Sequence, residues 1–199
     1  MVEDLASLYT AGMGLEVEIK FKIEDLKALT RKLRTSGFRL LTRRTHEMNT
    51  LYDLPGQPLR GKGEVLRIRK YGDRWTVTFK AKGKAGRHKS RKEIETRVED
   101  GQALAEILEA LDFAPSFSYE KFRTEWSDGQ GHVVVDETPI GNFGEIEGPS
   151  RWIDAVARSL GISSDQYITD SYAVLFLKWK QQTGSRAQDM LFNSVKANQ

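Results

Sequence analysis

Polar and apolar positions alternate with a period of two along much of this chain, and many of the polar positions are charged. Glu16, Glu18 and Lys20 are interleaved with Val17, Ile19 and Phe21. Successive side chains of a strand point to opposite faces, so this segment carries acid, acid and base on one surface and apolar groups on the other. The pattern returns at Arg67/Arg69, Arg91/Glu93/Glu95/Arg97, Lys121/Arg123 and Glu145/Glu147. It predicts strands over residues 15–23, 64–71, 74–82, 91–98, 118–126, 132–137 and 142–147, and the segment 38–53 brings the tally to about eight. Gly72-Asp73 and residues 128–131 mark hairpin turns. A period near 3.6 appears elsewhere. Leu26, Leu29 and Leu33 predict a helix over 22–37 ended by Gly37, and Leu104, Ile107, Leu108 and Leu111 predict one over 100–111 before a break at Pro115. Residues 151–160 and 171–182 read as two more helices. Pro55, Gly56 and Pro58 read as a loop, and so does the Lys-, Arg- and Gly-rich segment 83–90.

The 199 residues suit one buried domain over 15–183, with an N-terminal extension over 1–14 and a loosely ordered tail over 184–199. Hydrophobic residues make up 39% and charged residues 30%, which leaves much charge to place. The net charge is only +3 although the pI is about 9.0. Nucleic-acid binders carry a larger basic excess, so no nucleic-acid partner is expected. With no cysteine there is neither a disulfide framework nor a thiolate metal site. Metal ligands would be oxygens, which favour Mg²⁺ or Mn²⁺. No stretch has the length of a membrane span, and residues 1–14, with Glu3 and Asp4, lack a basic segment leading into an apolar one; no membrane partner and a cytoplasmic location are expected.

Each charged row alone could be a solvated sheet face. Together they argue otherwise. Arginines recur at 67 and 69 and acids at 145 and 147, and like charges about 4 Å apart repel by about 1 kcal/mol in water and about 4 kcal/mol at an effective dielectric of about 20. The helices have apolar stripes that need a sheet to cover, and Val17, Trp75, Val77 and Phe79 offer that face. If helices coat the outside, the charges line the inside, and about eight strands close into a barrel that holds one small ligand. Clustered bases and acids in one lumen suit a polyanion bound with divalent cations: arginine forks and lysines for phosphates, carboxylates for a metal. No Walker-type glycine loop is present.

Glu16-Val17-Glu18-Ile19-Lys20 resembles the ExExK signature of the CYTH, or triphosphate tunnel metalloenzyme, superfamily. Leu66-Arg67-Ile68-Arg69, Thr78-Phe79-Lys80, Arg91-Lys92-Glu93-Ile94-Glu95, Lys121-Phe122-Arg123, Val135-Asp136 and Gly144-Glu145-Ile146-Glu147 are similar to its later strand motifs, in the same order. The resemblance implies an α+β fold, an eight-stranded antiparallel β-barrel with helices packed on the outside, that binds a triphosphate with Mg²⁺ or Mn²⁺. It implies metal ligands at Glu16, Glu18, Glu145 and Glu147 with Asp136 beside them, and triphosphate ligands at Lys20, Arg67, Arg69, Lys80, Lys121 and Arg123. It gives Glu93 and Glu95 a role in binding metal or organising the attacking group, and it puts Lys80, Glu93, Glu95 and Asp136 at the chemistry. Ser171-Tyr172 opens a segment similar to a C-terminal helix that closes over the tunnel.

Alone, Lys80 reads as a strand-end lysine; parity with Thr76 and Thr78 turns it toward phosphate. His46, His88 and His132 lack metal-ligand spacing. Asp53 reads equally as a turn residue or a site residue, and Phe176 and Trp179 read as packing residues. Three functions stay open. Water could attack a phosphorus of tripolyphosphate, thiamine triphosphate or ATP; the ribose hydroxyl of ATP could attack its α-phosphorus, as in class IV adenylyl cyclases; or the chain could bind polyphosphate or nucleotide without catalysis. A homodimer is a default expectation.

Overall fold

Eight strands close into an antiparallel barrel with helices outside it, the α+β arrangement that the alternation calls for. The computed structural model describes residues 14–84 and 86–197. The strands are β1 (Gly14–Lys22), β2 (Arg39–Asp53), β3 (Val65–Tyr71), β4 (Arg74–Lys80), β5 (Lys89–Val98), β6 (Ala114–Ser127), β7 (His132–Thr138) and β8 (Gly141–Glu147), hydrogen-bonded in the closed order β1-β5-β4-β3-β2-β6-β7-β8. The helices are α1 (Leu26–Thr35), α2 (Pro58–Lys62), α3 (Gly101–Ala110), α4 (Ser150–Leu160), α5 (Tyr172–Thr183) and α6 (Phe192–Lys196). No helix among the described residues is long and apolar enough to cross a membrane.

The apolar strand faces turn outward because helices cover them. Ile19, Phe21, Val133, Val135 and Ile146 pack with Leu29 and Leu33 of α1 and with Trp152, Ile153 and Val156 of α4. Each such side chain stabilises the fold by about 1.5–3 kcal/mol on burial. A second layer sets Ile68, Leu66 and Trp75 against Leu104 and Leu108 of α3. Gly144, paired directly with Phe21, is required by close approach: a Cβ there would lie 2.1 Å from the Phe21 ring.

Several elements depart from the sequence expectation. The first helix starts at Leu26, not Lys22, because Lys22 stays in β1 opposite Phe143 and Asp25 caps the helix by accepting from the Ala28 amide at 2.9 Å. Pro115 does not break the chain but lies in β6, at a register shift against β2 and beyond the reach of β7 pairing, where a missing N–H is tolerated. Residues 58–62 form α2 instead of loop. Asp53 accepts from the amides of Leu54, Leu59 and Arg60, which assigns it to this turn.

The segment after α5, expected to be loosely ordered, is packed. β6 runs past the end of its pairing with β7 at Phe122, so its edge groups need partners. The Met190 amide donates to the Ser118 carbonyl at 3.0 Å, the Glu120 amide donates back to Met190 at 3.1 Å, and Met190 is fully buried. On the other side of α5, Lys20 and Ile168 exchange two backbone hydrogen bonds of 2.9 and 2.7 Å. The proposed N-terminal extension lies outside the described residues, apart from Gly14, which opens β1.

Candidate functional site

With Ile19, Phe21, Ile68, Val133, Val135 and Ile146 in the outer cores, strand parity turns the charged rows into the barrel. Glu16, Glu18 and Lys20 come from β1, Arg67 and Arg69 from β3, Lys80 from β4, and Glu93 and Glu95 from β5. Lys121 and Arg123 come from β6, Asp136 from β7, and Glu145 and Glu147 from β8. Lys20, Lys121 and Asp136 are 3%, 2% and 0% exposed, so these rows are not a solvated face.

The lumen is held by interlocking ion pairs between strands. Lys80 Nζ lies 2.9 Å from Glu16 Oε1 and 2.7 Å from Glu93 Oε2, while Arg91 Nε donates to Glu16 Oε2 at 2.8 Å. Lys80 is therefore an interior cation, not a strand-end lysine in water. Arg67 and Arg69 grip the two oxygens of Glu95 at 3.3 and 2.8 Å. Arg123 forks onto Asp136 with two bonds of 2.7 Å and reaches Glu145 at 2.5 Å. Glu145 also takes Lys20 at 2.5 Å, and Lys121 donates to Asp136 at 2.8 Å.

Electrostatics follow from these contacts. Burial alone would push the Glu16 and Glu145 carboxyls up, but Lys80 and Arg91 on the first, and Lys20 and Arg123 on the second, hold both well below the usual carboxylate range. Burial would lower Lys20, and Glu145 and Glu18 outweigh it, so its ammonium is held above the ordinary lysine range. Glu93 goes the other way: burial raises it, Lys80 opposes and Glu16 adds to the rise. Glu147 is pushed up to about 8, by the surrounding protein first and then by Glu16 and Glu18, although solvent still reaches it.

The fit of a divalent cation can be judged on that carboxylate group. Glu147 shares its end of the sheet with Glu16, Glu18 and Glu145, and their mutual repulsion is what a hard, oxygen-seeking cation relieves. Glu18 pairs directly with Glu147 in register. As arranged, however, Glu16, Glu18 and Glu145 are turned onto Lys80, Lys89 and Lys20, and no three carboxylate or histidine groups among the described residues converge on one point. The donors fit in type, and a cation would replace ammonium partners that they already have.

Residues to which the sequence reading gave no role also face the lumen. Glu47 and Asn49 of β2 are 0% exposed, Thr78 bridges Arg67 and Glu95, and Lys89 and Arg91 pair with Glu18 and Glu16. Parity was the available signal for Glu47 and Asn49, since Thr50 and Tyr52 alternate with them. Toward one end the lining turns apolar: Leu51, Phe117, Tyr119 and Phe143 pack with Tyr172 and Phe176 of α5, and Trp179 stacks on Phe176. His46 and His88 lie away from the lumen, on Glu120 and Asp154. Arg87 also reaches Asp154, which ties the basic loop to α4.

Comparison with known proteins agrees with this geometry. The CYTH domain profile matches residues 14–172. A Methanocaldococcus jannaschii protein provisionally named an adenylate cyclase is 27% identical over 172 residues, covering 81% of this chain and 98% of its own length. A solved Vibrio parahaemolyticus structure, likewise provisionally an adenylate cyclase, superposes with a TM-score of 0.75 at 18% identity over 83% of this chain and 99% of that one. A Hippeastrum protein provisionally named an adenylyl cyclase, and described as showing a dominant triphosphatase activity, matches with a TM-score of 0.62 at 19% identity over 82% of this chain and 95% of its own.

Proposed function

The chain belongs to the CYTH domain family, and from that premise we propose that it is a divalent-metal-dependent enzyme that hydrolyses a phosphoanhydride bond of a triphosphate inside the barrel. One observation carries this: the lumen sets Lys20, Arg67, Arg69, Lys80, Lys89, Arg91, Lys121 and Arg123 against as many acids, namely Glu16, Glu18, Glu47, Glu93, Glu95, Asp136, Glu145 and Glu147. Bases alone would suffice to bind a polyanion. An acid row as dense as Glu16, Glu18, Glu145 and Glu147 makes sense when a cation arrives with the anion.

The chain's own groups divide the work. Arg67, Arg69 and Arg123 offer planar forks to phosphate oxygens, and Lys20, Lys80 and Lys121 offer point charges. Each now holds a carboxylate, so a phosphate group would enter by exchange with an anion of the same charge. Glu16, Glu18, Glu145 and Glu147, with Asp136 close by, would hold Mg²⁺ or Mn²⁺. The bound cation would neutralise charge developing on the bridging and leaving oxygens. Glu93 and Glu95 fix Lys80, Arg67 and Arg69, and this keeps the triphosphate in line for attack. Water would then attack the terminal phosphorus as the bridging P–O bond to the next phosphate breaks, so that orthophosphate and the remaining diphosphate portion are the two products.

Hydrolysis is placed first because a structural relative is described as a dominant triphosphatase. Cyclisation of ATP with release of pyrophosphate is the alternative, favoured by the name of the Methanocaldococcus relative. A binding module without catalysis fits least, because it leaves the acids without a task. The test is incubation of the purified protein with ATP, tripolyphosphate and thiamine triphosphate, with Mg²⁺ or Mn²⁺, while phosphate, pyrophosphate and cyclic AMP are assayed separately. Phosphate release supports hydrolysis, and cyclic AMP with pyrophosphate supports the alternative. Silence with every pair favours the binding module.

A further inference from the structure

Glu47 is an ionised carboxylate with no access to solvent, and its charge is incompletely used. Oε1 accepts from Asn49 Nδ2 at 2.9 Å and lies 3.5 Å from Lys121 Nζ. Oε2 lies 3.8 Å from Arg123 Nε and has no hydrogen-bond partner. Burial pushes this carboxyl up, but Lys121, Arg123, Arg69 and Arg67 together outweigh it and hold it well below the usual range. An isolated charge at this depth could not persist.

The distances distinguish Glu47 from its neighbour Asp136. Lys121 and Arg123 make their short, charge-assisted bonds to Asp136, at 2.8 and 2.7 Å. Glu47 stands off by 3.5 and 3.8 Å, so it supplies field to those cations without clamping their N–H groups. Asn49, itself fully buried, fixes it there. The same four cations include four of the six that the triphosphate reading assigns to phosphate.

We infer that Glu47 is a fixed counter-anion of the phosphate track: it opposes incoming phosphates across Lys121, Arg123, Arg67 and Arg69 and so limits how tightly the barrel holds its anion. The inference rests on the triphosphate reading. Glu47 is a positioning residue and takes no proton and no metal in the reaction. Its charge offsets the mutual repulsion of the cations when no anion is bound, and it weakens the grip on product so that turnover continues.

The sign of the effect makes this testable. Tripolyphosphate is titrated calorimetrically into the wild type and Glu47→Gln with chelator present, so that no divalent cation takes part, and thermal melts are run alongside. Glu47→Gln should bind about tenfold or more tighter, and in metal-dependent turnover its KM and kcat should fall together. A purely structural role would lower the melting temperature without tightening binding, and a role for Glu47 on the attacking group would lower kcat at unchanged affinity. Either result overturns the inference. Glu47→Asp keeps the charge but draws it back by one methylene from Lys121 and Arg123 and should tighten binding about threefold; if Glu47→Gln fails to fold, affinity in Glu47→Asp equal to or weaker than wild type overturns the inference by itself. A wild type that binds no tripolyphosphate, with or without Mg²⁺, removes the triphosphate reading and this inference with it. Wild-type binding that neither variant alters removes the inference alone.

Discussion

The Tyr172 hydroxyl donates to Asp136 Oδ2 at 2.7 Å, and the Tyr172 ring lies 4.8 Å from Lys20 Nζ and 4.6 Å from Lys121 Nζ. The first residue of α5 thus touches lumen groups from β1, β6 and β7. Asp136 keeps Lys121 and Arg123 if the hydroxyl is lost, so Tyr172→Phe should cost only about 1 kcal/mol. Tyr172→Ala removes the ring as well and should cost about 3–5 kcal/mol. Urea denaturation midpoints at equal m-value separate the two; equal losses would mean that the ring does not pack as described.

Arg69 donates to Glu95 Oε1 at 2.8 Å and faces the lumen beside Arg67. Arg69→Ala should weaken tripolyphosphate binding by about 1.5–3 kcal/mol, the contribution of hydrogen bonds to a charged group. Calorimetric titration reads this directly, and an unchanged constant would take Arg69 out of the phosphate track.

Glu147 gives the pH dependence. Its carboxyl is raised from 4.5 to about 8, so between those values the folded chain holds a proton that the unfolded chain has released. Protonation at this group therefore favours folding at low pH, and that contribution declines as pH rises toward 8. A divalent cation held as proposed would compete with the same proton. Mn²⁺ affinity should rise about tenfold per pH unit below 8 and level off above it. Glu147→Gln, which copies the neutral form, should bind the cation weakly at every pH and melt at least as high as wild type near neutral pH, where the wild type has lost its low-pH advantage. A flat wild-type profile would sink the assignment.

Gly144→Ala puts a methyl group into the Phe21 ring, which can retreat only into a core shared with α1 and α4. The expected loss is about 1–3 kcal/mol. A stability equal to wild type would show that this face of the barrel yields more than its packing implies.

The strand faces were legible because a barrel with helices outside and ions inside writes its two environments onto odd and even positions. Val17, Ile19 and Phe21 against Glu16, Glu18 and Lys20 need no tertiary information. Glu47 was not legible in the same way. Its alignment with Lys121 depends on the register between β2 and β6, which shifts near Thr42, Thr45 and Tyr52, and bulges of this kind leave little trace in composition. The pairing of Lys80 with both Glu16 and Glu93 depends on β4, β5 and β1 being neighbours, a fact of closure and not of spacing. The tail, 184–199, looked loose because its apolar anchors Ala187, Met190 and Val195 follow no helical or strand period, and its backbone bonds to the open edge of β6 leave no mark on the sequence.

The flanks of α5 decide how the barrel communicates with water. Ile168, before the helix, is stitched to Lys20, and Met190, after it, to Ser118 and Glu120, so the chain is tied to barrel strands on both flanks of α5. A guest bound among Lys20, Lys121 and Asp136 would therefore meet Tyr172 as a stopper pinned from both flanks, and passage past it would have to break backbone bonds as well as the packing on Tyr119 and Phe143.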